Sequence, residues 1–230
     1  MDKLVIFVHT CSNYEESRAK KIERTWGDRE NVVFITDNAE SSLKRNIYVG
    51  EYKKGCTYHP ENVIKMFYLF MTYYPQHHWF MMIDDDSYLY IDHLIDYLQS
   101  QDHNDCLMIG DFLNWTRIWW RLPPEHSKWE WVGGGPGIVF TKKCVEAFLL
   151  LIHNNNVMCC NHDVWLHKLY LLSDQKSIKR VHCDGFHQFE LENASEEKLK
   201  QLSKHSLISV HLNRNLDMLY KFHELFKNSS

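Results

Sequence analysis

The chain has 230 residues, a net charge of −4, 44% hydrophobic residues and 24% charged residues. That length supports one domain with a substantial core, and the composition is that of an ordinary soluble globular protein. The acidic balance excludes the basic footprint of a nucleic-acid binder, and no run reaches the ~18 to 20 apolar residues a membrane helix needs.

Along the chain, strand-like and helix-like segments alternate, which predicts an α/β fold with a largely parallel sheet. Leu4 to Thr10 is a β-rich run whose apolar core, Leu4 to Val8, is too short for a signal peptide and suits a buried strand. Glu15 to Trp26 is polar and helical in character, and Val32 to Thr36 reads as the second strand. Val63, Met66, Phe67, Phe70 and Tyr74 recur at helical spacing after Pro60. Trp79 to Ile83 is a short apolar strand that stops at three aspartates, and Ile91, Leu94, Ile95 and Leu98 mark the next helix. Cys106 to Ile109 reads as a strand, and residues 112–131 as an irregular, aromatic-rich stretch. Ile138 to Phe140 is β-like, Val145, Phe148 and Leu149 share a helical face, and another helix follows Asp163. Ser195 is placed to cap a helix from Glu196. Leu207 to Leu212 is a late strand, and Leu216, Leu219, Phe222 and Phe226 form the stripe of a final helix.

Seven cysteines, an odd number with no C-x-x-C pair, argue against zinc and establish no disulfide framework. Sequons at Asn114, Asn193 and Asn228 favour a secretory history only weakly.

The strongest chemical signal is Asp84-Asp85-Asp86 behind the apolar run Trp79 to Ile83. Adjacent carboxylates repel, and ligands of open α/β sheets bind at the carboxyl ends of strands. An oxygen-rich cluster there suits Mn²⁺ or Mg²⁺, which also hold substrate phosphates. The competing reading, an acidic turn in water, weighs about equally until the apolar run is counted. The segment Gly133-Gly134-Gly135-Pro136-Gly137 holds four of the nine glycines. It is either a plain turn or a wall against which a sugar packs, and its spacing is not a dinucleotide fingerprint. Asp163, at the start of an apolar helix, is on its own more simply an N-cap or a first-turn charge than a catalytic group. His211, within an apolar strand, is on its own more simply a core residue than a ligand. Trp115, Trp119, Trp120, Trp129 and Trp131 crowd one loop-like stretch, which favours stacking on sugars.

In order and spacing these motifs resemble the inverting β1,3-glycosyltransferase family that includes fringe and the core 1 galactosyltransferase. The likeness covers nearly the whole chain. It begins at Val8-His9-Thr10 and continues through Arg18, Ile22, Thr25 and Trp26 and through Phe34-Ile35-Thr36-Asp37. Lys65, Asp84 to Leu89 and Gly133 to Thr141 extend it, and Asp163-Val164, Gly185 to Glu190 and His211 complete it. Two departures stand out: His162 replaces an acidic residue, and Pro136 replaces a small one.

The resemblance implies a single Rossmann-like domain of GT-A type with a mixed, mostly parallel sheet. Residues 1–110 would mainly bind nucleotide sugar and metal, and 111–230 acceptor and catalytic base. It implies transfer of a hexose or N-acetylhexosamine, galactose or N-acetylglucosamine in preference, from a UDP-sugar to a glycan hydroxyl, with inversion, a β1,3 linkage and Mn²⁺ or Mg²⁺. Asp84, Asp86 and His211 are the expected metal ligands, and Asp85 a contact to the ribose or donor sugar. Thr10, Thr36 and Asp37 are the expected uridine pocket, Lys65 a partner of a phosphate or an aspartate, and Asp163 the general base. Trp131, Gly134 and Gly135 are expected to line the sugar sites. As it stands the chain reads as cytoplasmic, or as Golgi-lumenal if an anchor was removed. The rivals are a catalytically silent chaperone or glycan-binding relative, a retaining glycosyltransferase of the same architecture and, more remotely, a metal-dependent phosphohydrolase.

Overall fold

The computed structural model describes residues 3–52, 60–114, 128–155, 161–174, 177–188, 191, 196–203, 207–212 and 217–227. Its strands are β1 (Leu4–His9), β2 (Val32–Thr36), β3 (Asn46–Tyr48), β4 (Trp79–Asp84), β5 (Ser87–Leu89), β6 (Leu107–Gly110), β7 (Phe112–Asn114), β8 (Glu130–Val132), β9 (Ile138–Thr141), β10 (Lys179–His182), β11 (Phe186–His187) and β12 (Ser209–His211). A π-helical turn, Glu15–Ala19, runs into the short helix α1 (Lys20–Glu23). The other helices are α2 (Pro60–Tyr73), α3 (Ile91–Gln99), α4 (Lys142–Asn154), α5 (His162–Leu172), α6 (Glu196–Ser203) and α7 (Asp217–Lys227).

Seven strands form one sheet in the order β10-β6-β9-β4-β1-β2-β3. It is mostly parallel, and β9 alone runs against its neighbours β4 and β6. All six residues of β1 and all six of β4 are buried, because both faces of this sheet are covered. Alternation sends Leu4, Ile6 and Val8 into one core and Val5 and Phe7 into the other. Val63, Met66, Phe67 and Phe70 of α2 pack into the second core, as do Val145 and Phe148 of α4. Thr141 caps α4, its side chain accepting the Cys144 N–H at 3.3 Å.

Two small sheets stand beside the large one. In the first, β12 pairs in parallel with β11 and antiparallel with β5. In the second, β7 and β8 pair antiparallel, so the ends of the stretch read as irregular are an ordered ladder. Trp115, Trp119 and Trp120, the proposed cap Ser195 and the stripe residue Leu216 lie outside the described residues. Cys11 is disulfide-bonded, while Cys106, Cys144 and Cys183 are free. No described helix is long and apolar enough to cross a membrane.

Candidate active site

β4 ends at Asp84 and β5 begins at Ser87, so Asp85 and Asp86 are the turn by which the chain leaves the large sheet for a small one. All three aspartates are buried, which removes the reading of an acidic turn in water. Burial pushes the Asp84 carboxyl well above its ordinary range, and the charges of Asp86, Asp85 and Asp163 push it further. Burial also pushes Asp85 up to about 7, against the pull of Thr10 and Arg18. Such crowding favours protonation unless a cation is present.

Arg18 is one cation at the site. Its Nη1 lies 3.1 Å from Asp85 Oδ1 and 3.0 Å from Asp86 Oδ2. Its guanidinium sits over the Tyr14 ring at 3.8 Å from the centroid. Thr10 Oγ1 donates to Asp85 Oδ2 at 2.7 Å. Asp85 therefore has both oxygens engaged by protein, and the Thr10 hydroxyl, expected in a uridine pocket, is committed to Asp85.

His211 reaches the triplet through strand pairing. The antiparallel register of β12 and β5 sets His211 opposite Ser87, and the Leu212 N–H donates to the Asp86 carbonyl at 2.9 Å. His211 Nε2 thereby comes within 3.1 Å of Asp86 Oδ1. One ligand atom each from Asp84, Asp86 and His211 lies within 4.8 Å of the others. Asp86 Oδ1 is buried and has no hydrogen bond. Two carboxylates and an imidazole around an unpaired oxygen fit a divalent cation such as Mn²⁺ or Mg²⁺.

The glycine run is shaped to these side chains. A Cβ on Gly134 would lie 2.1 Å from His162 Nε2, and one on Gly135 would lie 2.6 Å from His211 Cγ. The run is thus a cradle for two imidazoles. Gly137, at φ +98°, makes the turn into β9, where most other residues would be strained. Ser87 Oγ donates to the Gly135 carbonyl at 2.7 Å, and Ser209 Oγ donates to that of Pro136. These bonds tie the run to β5 and β12.

Asp163 lies in the first turn of α5 and is half-buried. Its Oδ1 accepts the Val164 N–H at 2.8 Å, and its Oδ2 accepts Trp131 Nε1–H at 3.2 Å. Trp131 has no exposed surface, so it does not line a sugar site as expected; its indole orients Asp163 instead. The reason is local: alternation along β8 turns Trp131 into a small core with Leu113 and Val164. Lys65 meets the backbone. Its Nζ donates to the Val49 carbonyl at 2.8 Å and lies 5.7 Å from the Tyr52 ring centroid, an arrangement that ties α2 to the segment after β3. Thr36 is buried, and its Oγ1 accepts the Asn38 N–H at 3.1 Å. Asp37 Oδ1 accepts the Ser12 N–H at 2.7 Å. These two residues close the carboxyl end of β2, one strand from the triplet.

Behind Asp84 is a cavity of about 10 Å³ lined in part by His9, Asn62, Met82 and His162. Asn62 Nδ2 and His9 Nε2 are 3.0 Å apart. Burial, aided by His162, pushes His9 down to about 3, so the ring is neutral and accepts from the amide.

Sequence reasoning gave no role to Arg18, Gln188 or Asn62. Arg18 and Gln188 fell within resembling segments, but spacing alone carries no sign that a helix arginine or a lone glutamine meets these groups.

Three comparisons bear on this site. A family described as Fringe-like matches residues 1–230. A solved glycosyltransferase involved in glycosylation of the major capsid of PBCV-1 has a TM-score of 0.51 at 10% identity, with 96% of this chain and 99% of that one covered. The galactosyltransferase LgtC, solved with donor and acceptor sugar analogues, has a TM-score of 0.50 at 13% identity, with 97% and 95% covered. At these identities the solved structures speak for the fold, which is the GT-A type. Together with the match over the full length, this means that the chain belongs to the Fringe-like family of glycosyltransferases.

Proposed function

We propose that the chain moves a hexose or N-acetylhexosamine, galactose or N-acetylglucosamine in preference, from a UDP-sugar to a glycan hydroxyl. We infer a β1,3 linkage formed with inversion at the anomeric carbon. The observation that carries this reading is the convergence of Asp84, Asp86 and His211 at the carboxyl end of β4. Mn²⁺ or Mg²⁺ held there would neutralise the charge of the departing diphosphate as a Lewis acid.

The remaining chemistry belongs to side chains. Thr10 and Arg18 fix Asp85 and leave the metal to its neighbours. Thr36 and Asp37, at the end of β2, would bound the uridine. Asp163 would take the acceptor proton as general base, held by the Trp131 indole. The first half of the chain supplies most of the nucleotide and metal contacts and the second half the base, with His211 crossing that division. The Cys11 disulfide favours an oxidising lumen over the cytoplasm as the place of work.

The test is a panel of UDP-sugars with glycan acceptors, with and without Mn²⁺, on the parent, Asp163→Asn and Asp86→Asn. Asp163→Asn should keep Mn²⁺ and UDP binding while transfer falls by ~10²-fold or more. Asp86→Asn should lose metal-dependent UDP affinity together with turnover. Full transfer by Asp163→Asn would remove it as base, and an α-configured product would refute inversion.

A further inference from the structure

Gln188 stands between the glycine run and His211. It is buried, and its backbone N–H donates to Asp111 Oδ2 at 3.0 Å, which fixes the segment just after β11. A Cβ on Gly133 would lie 2.9 Å from Gln188 Oε1, and one on Gly135 would lie 2.7 Å from Gln188 Nε2. The amide thus occupies a slot that two missing side chains leave for it. One end of that amide is 2.8 Å from His211 Nδ1.

A primary amide can meet an imidazole nitrogen in two ways, related by a half-turn of its last bond. With the NH₂ group towards Nδ1, the amide donates, and the ring proton must sit on Nε2. In that orientation Nε2–H faces Asp86 Oδ1 at 3.1 Å, and Gln188 Oε1 is left buried without a hydrogen bond. An unpaired buried acceptor is costly. With the amide reversed, Oε1 accepts Nδ1–H, and the Nε2 lone pair faces Asp86 Oδ1 at 3.1 Å. Lone pair against carboxylate is repulsive unless a cation lies between them. One half-turn gives Oε1 a donor, and one cation held by Nε2 and Asp86 takes the place of the proton between them, with no change of charge on the ring.

We propose that Gln188 is a positioning residue for the metal site: its side-chain carbonyl accepts Nδ1–H of His211 and turns the Nε2 lone pair towards Asp84 and Asp86. This rests on the reading of Asp84, Asp86 and His211 as a cation site. Partners of this kind fix the tautomer and orientation of a ligating histidine, and losing one costs ~10 to 100-fold in metal affinity.

Two measurements test it, neither of them turnover. The first is ¹⁵N NMR of histidine-labelled protein with and without Mg²⁺, the His211 signals being assigned from a His211→Ala sample. With saturating Mg²⁺ the proton should reside on Nδ1. The second is Mn²⁺ titration, followed by electron paramagnetic resonance, of the parent, Gln188→Met, Gln188→Glu and Asp86→Asn. Gln188→Met should bind Mn²⁺ ~10 to 100-fold more weakly. Gln188→Glu, an obligate acceptor at the same place, should bind at least as tightly as the parent, which a purely space-filling role would not require. A ring proton on Nε2 under saturating Mg²⁺ overturns the proposal. So does parental affinity in Gln188→Met, provided Asp86→Asn loses binding, and the cation site then survives on its own. Parental affinity in Asp86→Asn, or no Mn²⁺ binding by the parent, overturns the cation site and the role of Gln188 together.

Discussion

Replacing Gly135 by Ala isolates the dependence of the candidate cation site on the glycine run. Gly135 does not have a positive φ, so an alanine there strains no backbone and acts only through its methyl group. That methyl would stand 2.6 Å from His211 Cγ and Nδ1 and 2.7 Å from Gln188 Nε2, where ordinary contact begins near 3.4 Å. The imidazole must therefore retreat by about 0.8 Å, a large step beside its 3.1 Å approach to Asp86. Overpacking of this kind costs ~1–3 kcal/mol, or roughly 2 to 12 °C of melting temperature for a chain of this size. Mn²⁺ affinity should fall by ~10-fold or more, because a ligand and its partner move together. Gly27→Ala is the control. Its methyl would press on Ile22 at 2.8 Å, far in sequence from the triplet, and should cost stability without loss of Mn²⁺ affinity. Thermal unfolding and Mn²⁺ titration on the three proteins decide the matter. Parental Mn²⁺ affinity in a folded Gly135→Ala protein would refute the argument that the glycine run holds His211 in place as a ligand.

Other expectations concern groups around the same turn. Trp131→Phe keeps a buried ring but removes the donor to Asp163, so transfer should drop several-fold in kcat, with Mn²⁺ and UDP affinity unchanged by calorimetry. Arg18→Met removes the cation shared by Asp85 and Asp86; breaking a buried ion pair costs ~3–5 kcal/mol, and added Mn²⁺ should restore part of the lost melting temperature by mass action. His9 has its pKa lowered to about 3, so the native protein stays neutral there while the unfolded chain takes up a proton below about 6.5. Its contribution is whole above that value and declines by up to about 1.4 kcal/mol per unit as pH falls towards 3. His9→Gln should flatten that decline in pH-dependent melting, and an unchanged slope would remove His9 as its source.

The large sheet was legible because its strands are buried on both faces. Apolar runs such as Leu4 to Val8 and Trp79 to Ile83 have no amphipathic reading to compete with. The short strands were harder to read. β3 is three residues long, β10 reads Lys-Arg-Val-His, and β7 and β8 are held by each other rather than by local preference. The metal cluster was half legible. Aspartates ending an apolar strand are a local pattern, but nothing local to Ile208-Ser209-Val210-His211-Leu212 says that this strand pairs with β5. Only the likeness to a family pointed to His211. Trp131 misled for a related reason, since a tryptophan in an aromatic stretch looks the same whether it faces a sugar or a core. Alternation along a three-residue strand decides it, and that strand was not recognised.

The turn at Asp85-Asp86 joins two separate sheets of different size. Asp84 hangs from the seven-stranded sheet, while His211 hangs from a ladder whose strands are only two or three residues long. Small ladders open more readily than buried central strands. A cation gripped by both would act as a clasp, coupling the opening of the weak ladder to that of the strong sheet. Amide hydrogens of β5 and β12 would then exchange more slowly, because opening the ladder would also cost the binding free energy of the cation.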